Sequence, residues 1–393
     1  MITDPIFENT KIAFALKSDA ELERAYFLFK MISIQPLVKI GTAATNFAIK
    51  ANLPVEGLIR VTVFNHFCGG VNENDCLPVI DNMYEKGVSS VLDYSVEGKE
   101  TEEEFDSALK TVLKIIDFAK EKDAMPIAVF KPTGFGRFYL FEKIGKGEPL
   151  TEAESNEWQK VEQRFDAVCK KGKENDIAVL IDAEESWMQD AADDLVTRMM
   201  QKYNTEKVVV FNTLQMYRHD RLQFLKEQHA LAKQEGFYLG YKLVRGAYLE
   251  KENDRAEALN YESPICKNKF ATDTNFDTAV KYMMDHLEDM SMFAGTHNED
   301  SSYLIMQLME EKGLASNDSR IWFGQLYGMS DHISFNLANR GYNVAKYIPF
   351  GPVKDVMPYL IRRAEENTSV AGQTGREISL LAKEKKRRKL GDD

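Results

Sequence analysis

The chain has 393 residues, 44% of them hydrophobic and 28% charged, with a formal net charge of −12. That is enough apolar material for a large buried core, and the excess of acid argues against a nucleic-acid partner gripped by its phosphates. No apolar run approaches the ~20 residues that span a bilayer, and the opening MITDPIFENTK is acidic and polar, so neither a membrane span nor a signal or transit peptide is expected.

Residues 8–65 read as helical. SDAELE from Ser18 is a helix start signal, and apolar positions recur at helical spacing through Phe27, Phe29, Ile32 and Leu37. Residues 1–86 are therefore taken as an N-terminal helical arm with a packing role. The four cysteines form no CxxC pair and the six histidines no HxH or HExxH motif. A disulfide framework or a metal centre has no support, and the usage suits a reducing compartment.

From about Gly87 the texture changes to short β-branched runs separated by long helical stretches. The runs are VSSVLDYS from Val88, PIAVFKPTG from Pro126, IAVLIDAEE from Ile177, KVVVFNTLQ from Lys207, YLGYKLVRGAY from Tyr238, MFAGTHN from Met292, RIWFGQLYGM from Arg320 and NVAKYIPFG from Asn343. Eight alternations of near-continuous apolar strands with helices predict a parallel sheet buried on both faces. Its natural closure is an α/β fold of the (β/α)8 TIM-like type over 87–375, with the helical arm before it and a final helix over the C-terminal mouth. Each run ends in a polar or aromatic residue: Asp93, Lys131, Asp182, Gln215, Arg245 with Tyr248, Thr296 and His297, Gln325, and Tyr347. Strand ends of such barrels form the catalytic face, so these side chains are expected to converge.

The stretch 347–367, YIPFGPVKDVMPYLIRRAEEN, follows the eighth run. Gly351 and Pro352 break the strand, Asp355 is positioned to cap a helix, and Pro358 is tolerated in its first turn. Tyr359, Arg362, Arg363 and Glu366 then share one face. Two adjacent guanidiniums make a carboxylate clamp, with a solvated charged face as the plainer alternative. Residues 376–393 read as a basic tail, KEKKRRK from Lys383. It is a fraying helix end or a foothold on an anionic membrane surface.

A clamp, an acid, a lysine, a glutamine and several aromatics suit an amino acid bound against a flat cofactor. GFGRFY, which begins at Gly134, lacks the third glycine of a dinucleotide fingerprint, and no GxxxxGK[ST] occurs, so a cofactor would be held by the barrel itself. The stretches IDAEE from Ile181, FNTLQMY from Phe211, KLVRGAYL from Lys242, THNED from Thr296, FGQLYGMSD from Phe323, YIPFGPV from Tyr347 and PYLIRRAEEN from Pro358 resemble the monofunctional proline dehydrogenases over roughly residues 60–375.

That resemblance implies oxidation of L-proline to 1-pyrroline-5-carboxylate, the first step of proline catabolism, by hydride transfer to N5 of FAD, with electrons passed to a quinone. It implies that Arg362 and Arg363 ion-pair with the proline carboxylate beside Lys131. It places Tyr347 and Leu326 against the ring with Tyr248 nearby, and it makes Asp182, Lys242 and Tyr347 the catalytic positions. The FAD pocket it implies is lined by Ala183, Gln215, Lys242, Arg245, Gly246, Ala247, Thr296 and His297. Lys242 stands where many members carry arginine, a point charge in place of a fork. A bulky Tyr347 beside ring C4 disfavours hydroxyproline. A cytoplasmic location is expected, or a peripheral one on the inner face of a membrane reached through the basic tail, with no nucleic acid bound. Two rivals remain: a Schiff-base aldolase using Lys131, Lys242 or Lys346, and a non-enzymatic amino-acid sensor built on the clamp.

Overall fold

The computed structural model describes residues 5–50, 56–94, 99–369 and 373–390, and their side chains other than those of 39, 44–50, 58, 364–369 and 373. Eight strands form where the β-branched runs fall: β1 (Val88–Tyr94), β2 (Ile127–Phe130), β3 (Ala178–Ile181), β4 (Val210–Gln215), β5 (Leu239–Val244), β6 (Met290–Gly295), β7 (Ile321–Leu326) and β8 (Val344–Phe350). They pair in chain order and close as a barrel, with parallel register such as Val88↔Val344 and Asn212↔Tyr241. Parallel neighbours require a crossover, and at least one helix separates each successive pair of strands. Because such strands are covered on both faces, burial does not alternate: all six residues of β4 and all seven of β8 are buried.

The chain divides into two compact units, residues 98–324 and residues 1–97 with 325–393. In the first, Thr101 and Thr151 each cap a helix with a complete capping box, closed by Glu104 and Glu154. Phe130 at the end of β2 stacks on Phe135 at 4.5 Å and meets Phe165 edge-on at 4.9 Å. Each such buried ring contributes roughly 2–3 kcal/mol of apolar transfer.

The second unit contains β1, β8 and five longer helices: α1 (Asp19–Ile32), α2 (Gln35–Lys50), α3 (Asp331–Asn339), α4 (Met357–Ser369) and α5 (Gln373–Arg387). Ser18 caps α1 in a capping box with Glu21, as its spacing anticipates. The buried face of α1, through Leu22, Ala25 and Phe29, packs with Leu380 and Leu381 of α5. The basic end expected to fray is therefore an ordered, docked helix, because its cations have local partners. Lys383 pairs with Glu8, Lys385 with Glu23, Arg387 with Glu384, and Arg388 with Glu384 and Asp19.

Inside the same unit, Lys346 is a fully buried cation in an otherwise apolar strand. Its Nζ donates to Met329 O at 2.6 Å and lies 2.7 Å from Asp331 Oδ1, while Lys17 lies 3.1 Å from Oδ2. Burial alone would raise the Asp331 carboxyl, but Lys17 and Lys346 outweigh it and hold the group below its usual range. A turn is fixed next to this group: His66 bonds Gly328 O through Nε2 at 2.9 Å, and Gly328 sits at φ +80, where a Cβ would stand 2.2 Å from His66 O.

Candidate active site

In the unit 98–324, three strands deliver one ion cluster. Lys131 follows β2, Asp182 follows β3, and Lys242 lies within β5. The Asp182 amide donates to Phe130 O at 3.0 Å, which holds it next to the end of β2. Lys242 Nζ donates to Asp182 Oδ1, and Lys131 Nζ stands 3.9 Å from Oδ2. Lys242 is buried and the other two are half-buried. Two ammoniums share one carboxylate in little water, so removing Asp182 takes from both lysines the charge it supplies.

Arg245, just past β5, is held in one orientation. Its Nε donates to Asp273 Oδ1 at 2.7 Å, Nη1 to Thr296 Oγ1 at 2.8 Å and Nη2 to Ser301 Oγ at 3.0 Å, with the guanidinium 4.5 Å over the Phe276 ring. Three of five N–H donors are thus spent and two remain for a ligand. Gly246 follows at φ +136, and a Cβ there would stand 2.4 Å from the Tyr217 ring, so only glycine fits on both counts. Gly246 and Ala247 are exposed, and the glycine gives a ligand access to bare backbone. Gln215 is buried and donates from Nε2 to Glu184 O at 2.6 Å. Thr296 is buried after β6, while Ala183 and His297 are half-buried at the ends of β3 and β6. Tyr248, half-buried, precedes helix Leu249–Leu259.

Glu184, three residues past β3, was not singled out by the sequence. It is buried and accepts the Thr133 amide at 2.9 Å and the Thr133 hydroxyl at 2.6 Å, tying the segment after β3 to the one that carries Lys131. Burial pushes its carboxyl up to about 7, against the two Thr133 bonds that lower it. The folded chain therefore keeps this proton after the unfolded chain has lost it. The resulting stability is whole at low pH and is lost as pH climbs from the ordinary glutamate range to about 7, a change of roughly 3 kcal/mol. Glu184→Gln has no proton to release. Its melting temperature should fall less than that of the wild type between about pH 5 and about pH 8, and equal slopes in the two proteins would remove the assignment.

The remaining predicted residues lie in the other unit. Tyr347 is buried in β8 and its carbonyl accepts Tyr327 N at 2.8 Å, while Leu326 ends β7, partly buried against an apolar cluster to which α4 contributes Met357, Tyr359 and Leu360. Arg363 is buried with its guanidinium 5.1 Å over the Tyr359 ring, and Arg362 is half-buried. The plainer alternative of a fully solvated charged face does not describe them. Tyr359 itself belongs to the apolar cluster under α4, so the face read as polar is anchored by an aromatic ring. Asp355 does not directly precede the helix: it sits in the turn before Met357. The Glu366 side chain lies outside the described residues. Gln325, expected at the convergent face, accepts the Ser334 hydroxyl at 2.8 Å.

Comparison with known proteins bears on what these residues are for. The proline dehydrogenase family model matches residues 76–376. The chain is 34% identical over 336 residues to the carbapenem antibiotics biosynthesis protein CarD of Pectobacterium carotovorum subsp. carotovorum, covering 86% of this chain and 87% of that one. It is 41% identical over 246 residues to human mitochondrial proline dehydrogenase 1, covering 61% of this chain but only 41% of the human protein. With the Dictyostelium discoideum enzyme of the same name the match is 29% over 426 residues, 97% of this chain and 74% of that one. Among solved structures, proline utilization A from Bdellovibrio bacteriovorus superposes with a TM-score of 0.70 at 20% identity, over 97% of this chain and 41% of that one. That last likeness speaks for the fold alone.

Proposed function

The chain belongs to the proline dehydrogenase family, and from that premise we propose that it binds FAD and oxidises L-proline to 1-pyrroline-5-carboxylate, the first step of proline catabolism, with a quinone as eventual electron acceptor. It acts as a proline oxidoreductase. The observation that carries this reading is the family match across residues 76–376, a span that holds the Lys131, Asp182, Lys242 cluster and the oriented Arg245.

The donor set suits a flavin. Arg245 keeps two N–H groups for a polar ring edge, Gly246 offers backbone that no Cβ blocks with exposed Ala247 next to it, and Gln215, Thr296, Ala183 and His297 stand at strand ends. Lys242, expected in the same pocket, has its ammonium on Asp182 and serves by holding that carboxylate. When bound, FAD supplies the acceptor for the hydride that leaves the ring carbon next to nitrogen.

The protein's own part is positional. Arg362 and Arg363 take the proline carboxylate, and two planar forks fix its orientation better than point charges could. Lys131 adds charge for the same carboxylate, and Asp182 sets the direction of Lys131. Leu326 and Tyr347 wall the ring, with Tyr248 beside it, and the bulk of Tyr347 disfavours a hydroxyl at C4. Holding the reacting carbon in a near-attack position contributes several kcal/mol. Protein reconstituted with FAD should show flavin absorbance bands that bleach on anaerobic addition of proline. A protein without those bands that forms a borohydride-trapped lysine adduct would be an aldolase instead.

A further inference from the structure

A membrane foothold at the basic end was one of two expectations for it, yet four of its cations are paired with Glu8, Glu23, Glu384 and Asp19. A different surface has the required chemistry. Phe27, Met31, Ile34, Leu37 and Ile40 succeed one another at three- or four-residue steps from α1 into α2. All are exposed, Phe27 at 65% and Ile40 at 67%, and Val61 stands out at 60%. Large apolar side chains left in water in an unbroken series are unusual unless something covers them.

The charge along the same segment runs against the rest of the molecule. Residues 24–72 carry Arg24, Lys30, Lys39, Lys50 and Arg60 against the single acid Glu56, in a chain whose acids outnumber its bases 62 to 50. Arg24, Lys30 and Arg60 are exposed. An apolar strip flanked by cations lies at the headgroup boundary of a bilayer, its rings among the acyl chains and its bases on lipid phosphates. A second copy of the chain fits less well, since a two-fold contact through this strip would set the same cations against each other.

We infer that the strip from Phe27 to Ile40, with Arg24 and Lys30 three positions either side of Phe27 on the same helix, docks the protein on an anionic bilayer surface. The docking is independent of the oxidation chemistry; only its use, access to a lipid-borne quinone, rests on the function proposed above.

The test is co-sedimentation with phosphatidylcholine vesicles, with and without phosphatidylglycerol. The wild type should bind the anionic vesicles, and the double variant Phe27→Glu/Ile40→Glu should bind roughly tenfold less. Arg24→Glu/Lys30→Glu should lose the preference for anionic lipid, while Lys386→Glu on α5 should bind as the wild type does. Proline-dependent dye reduction in solution should be equal in all four proteins, which separates lost docking from lost folding or lost chemistry. Undiminished sedimentation of Phe27→Glu/Ile40→Glu would overturn the proposal. So would a wild type that ignores vesicles and runs as a dimer which that variant dissociates.

Discussion

Replacing Arg363 with lysine should raise the KM for proline by roughly thirtyfold, the equivalent of ~2 kcal/mol, with a smaller rise for Arg362→Lys. The ranking comes from burial. Arg363 is buried with its guanidinium over Tyr359, whereas Arg362 is half-buried and better screened. Lysine keeps the charge at either place but loses the planar fork that the proposed role requires for two carboxylate oxygens and, at 363, the stacking on Tyr359. Flavin content should be unchanged and the melting temperature should fall only slightly, through the lost stacking on Tyr359, so that the main loss appears in substrate binding. An unaltered KM in both variants would show that the carboxylate is held elsewhere.

Asp182→Ala should do damage of two separable kinds. The buried Lys242 ammonium loses the carboxylate that compensates it, and stranding a buried charge costs roughly 3–5 kcal/mol of stability. Lys131 loses its guide as well, and a substrate misplaced by about an ångström loses about a hundredfold in rate. The double variant Asp182→Ala/Lys242→Met removes the stranded charge and should recover much of the melting temperature without recovering kcat/KM. If the double variant regained activity along with stability, Asp182 would be a packing residue only.

The barrel was legible because most strands are short, largely apolar runs, and a parallel sheet buried on both faces leaves that pattern in the sequence. The polar residues at the strand ends were legible for the same reason: each stands where an apolar run stops. Their partners were not. Thr133 and Glu184 are 51 residues apart, and Arg245 and Asp273 are 28 apart. Only the register of the strands brings such pairs together, and no local spacing encodes it. Tyr359 misled for a related reason, since helical periodicity groups residues by face without saying what the face meets. The basic end misled because a run of cations looks solvated until Glu8, Asp19 and Glu23 arrive from the far end of the sequence.

That last arrangement bears on how the protein is made. Arg388 reaches Asp19 across 369 positions, and Leu380 and Leu381 cover Leu22, Ala25 and Phe29. A ribosome adds roughly 5–20 residues per second, so the greasy side of α1 leaves the exit tunnel about 20 s or more before its cover is synthesised. For that interval the nascent chain is a natural client for a chaperone. Starved or stalled translation should therefore aggregate this protein sooner than its finished stability would suggest.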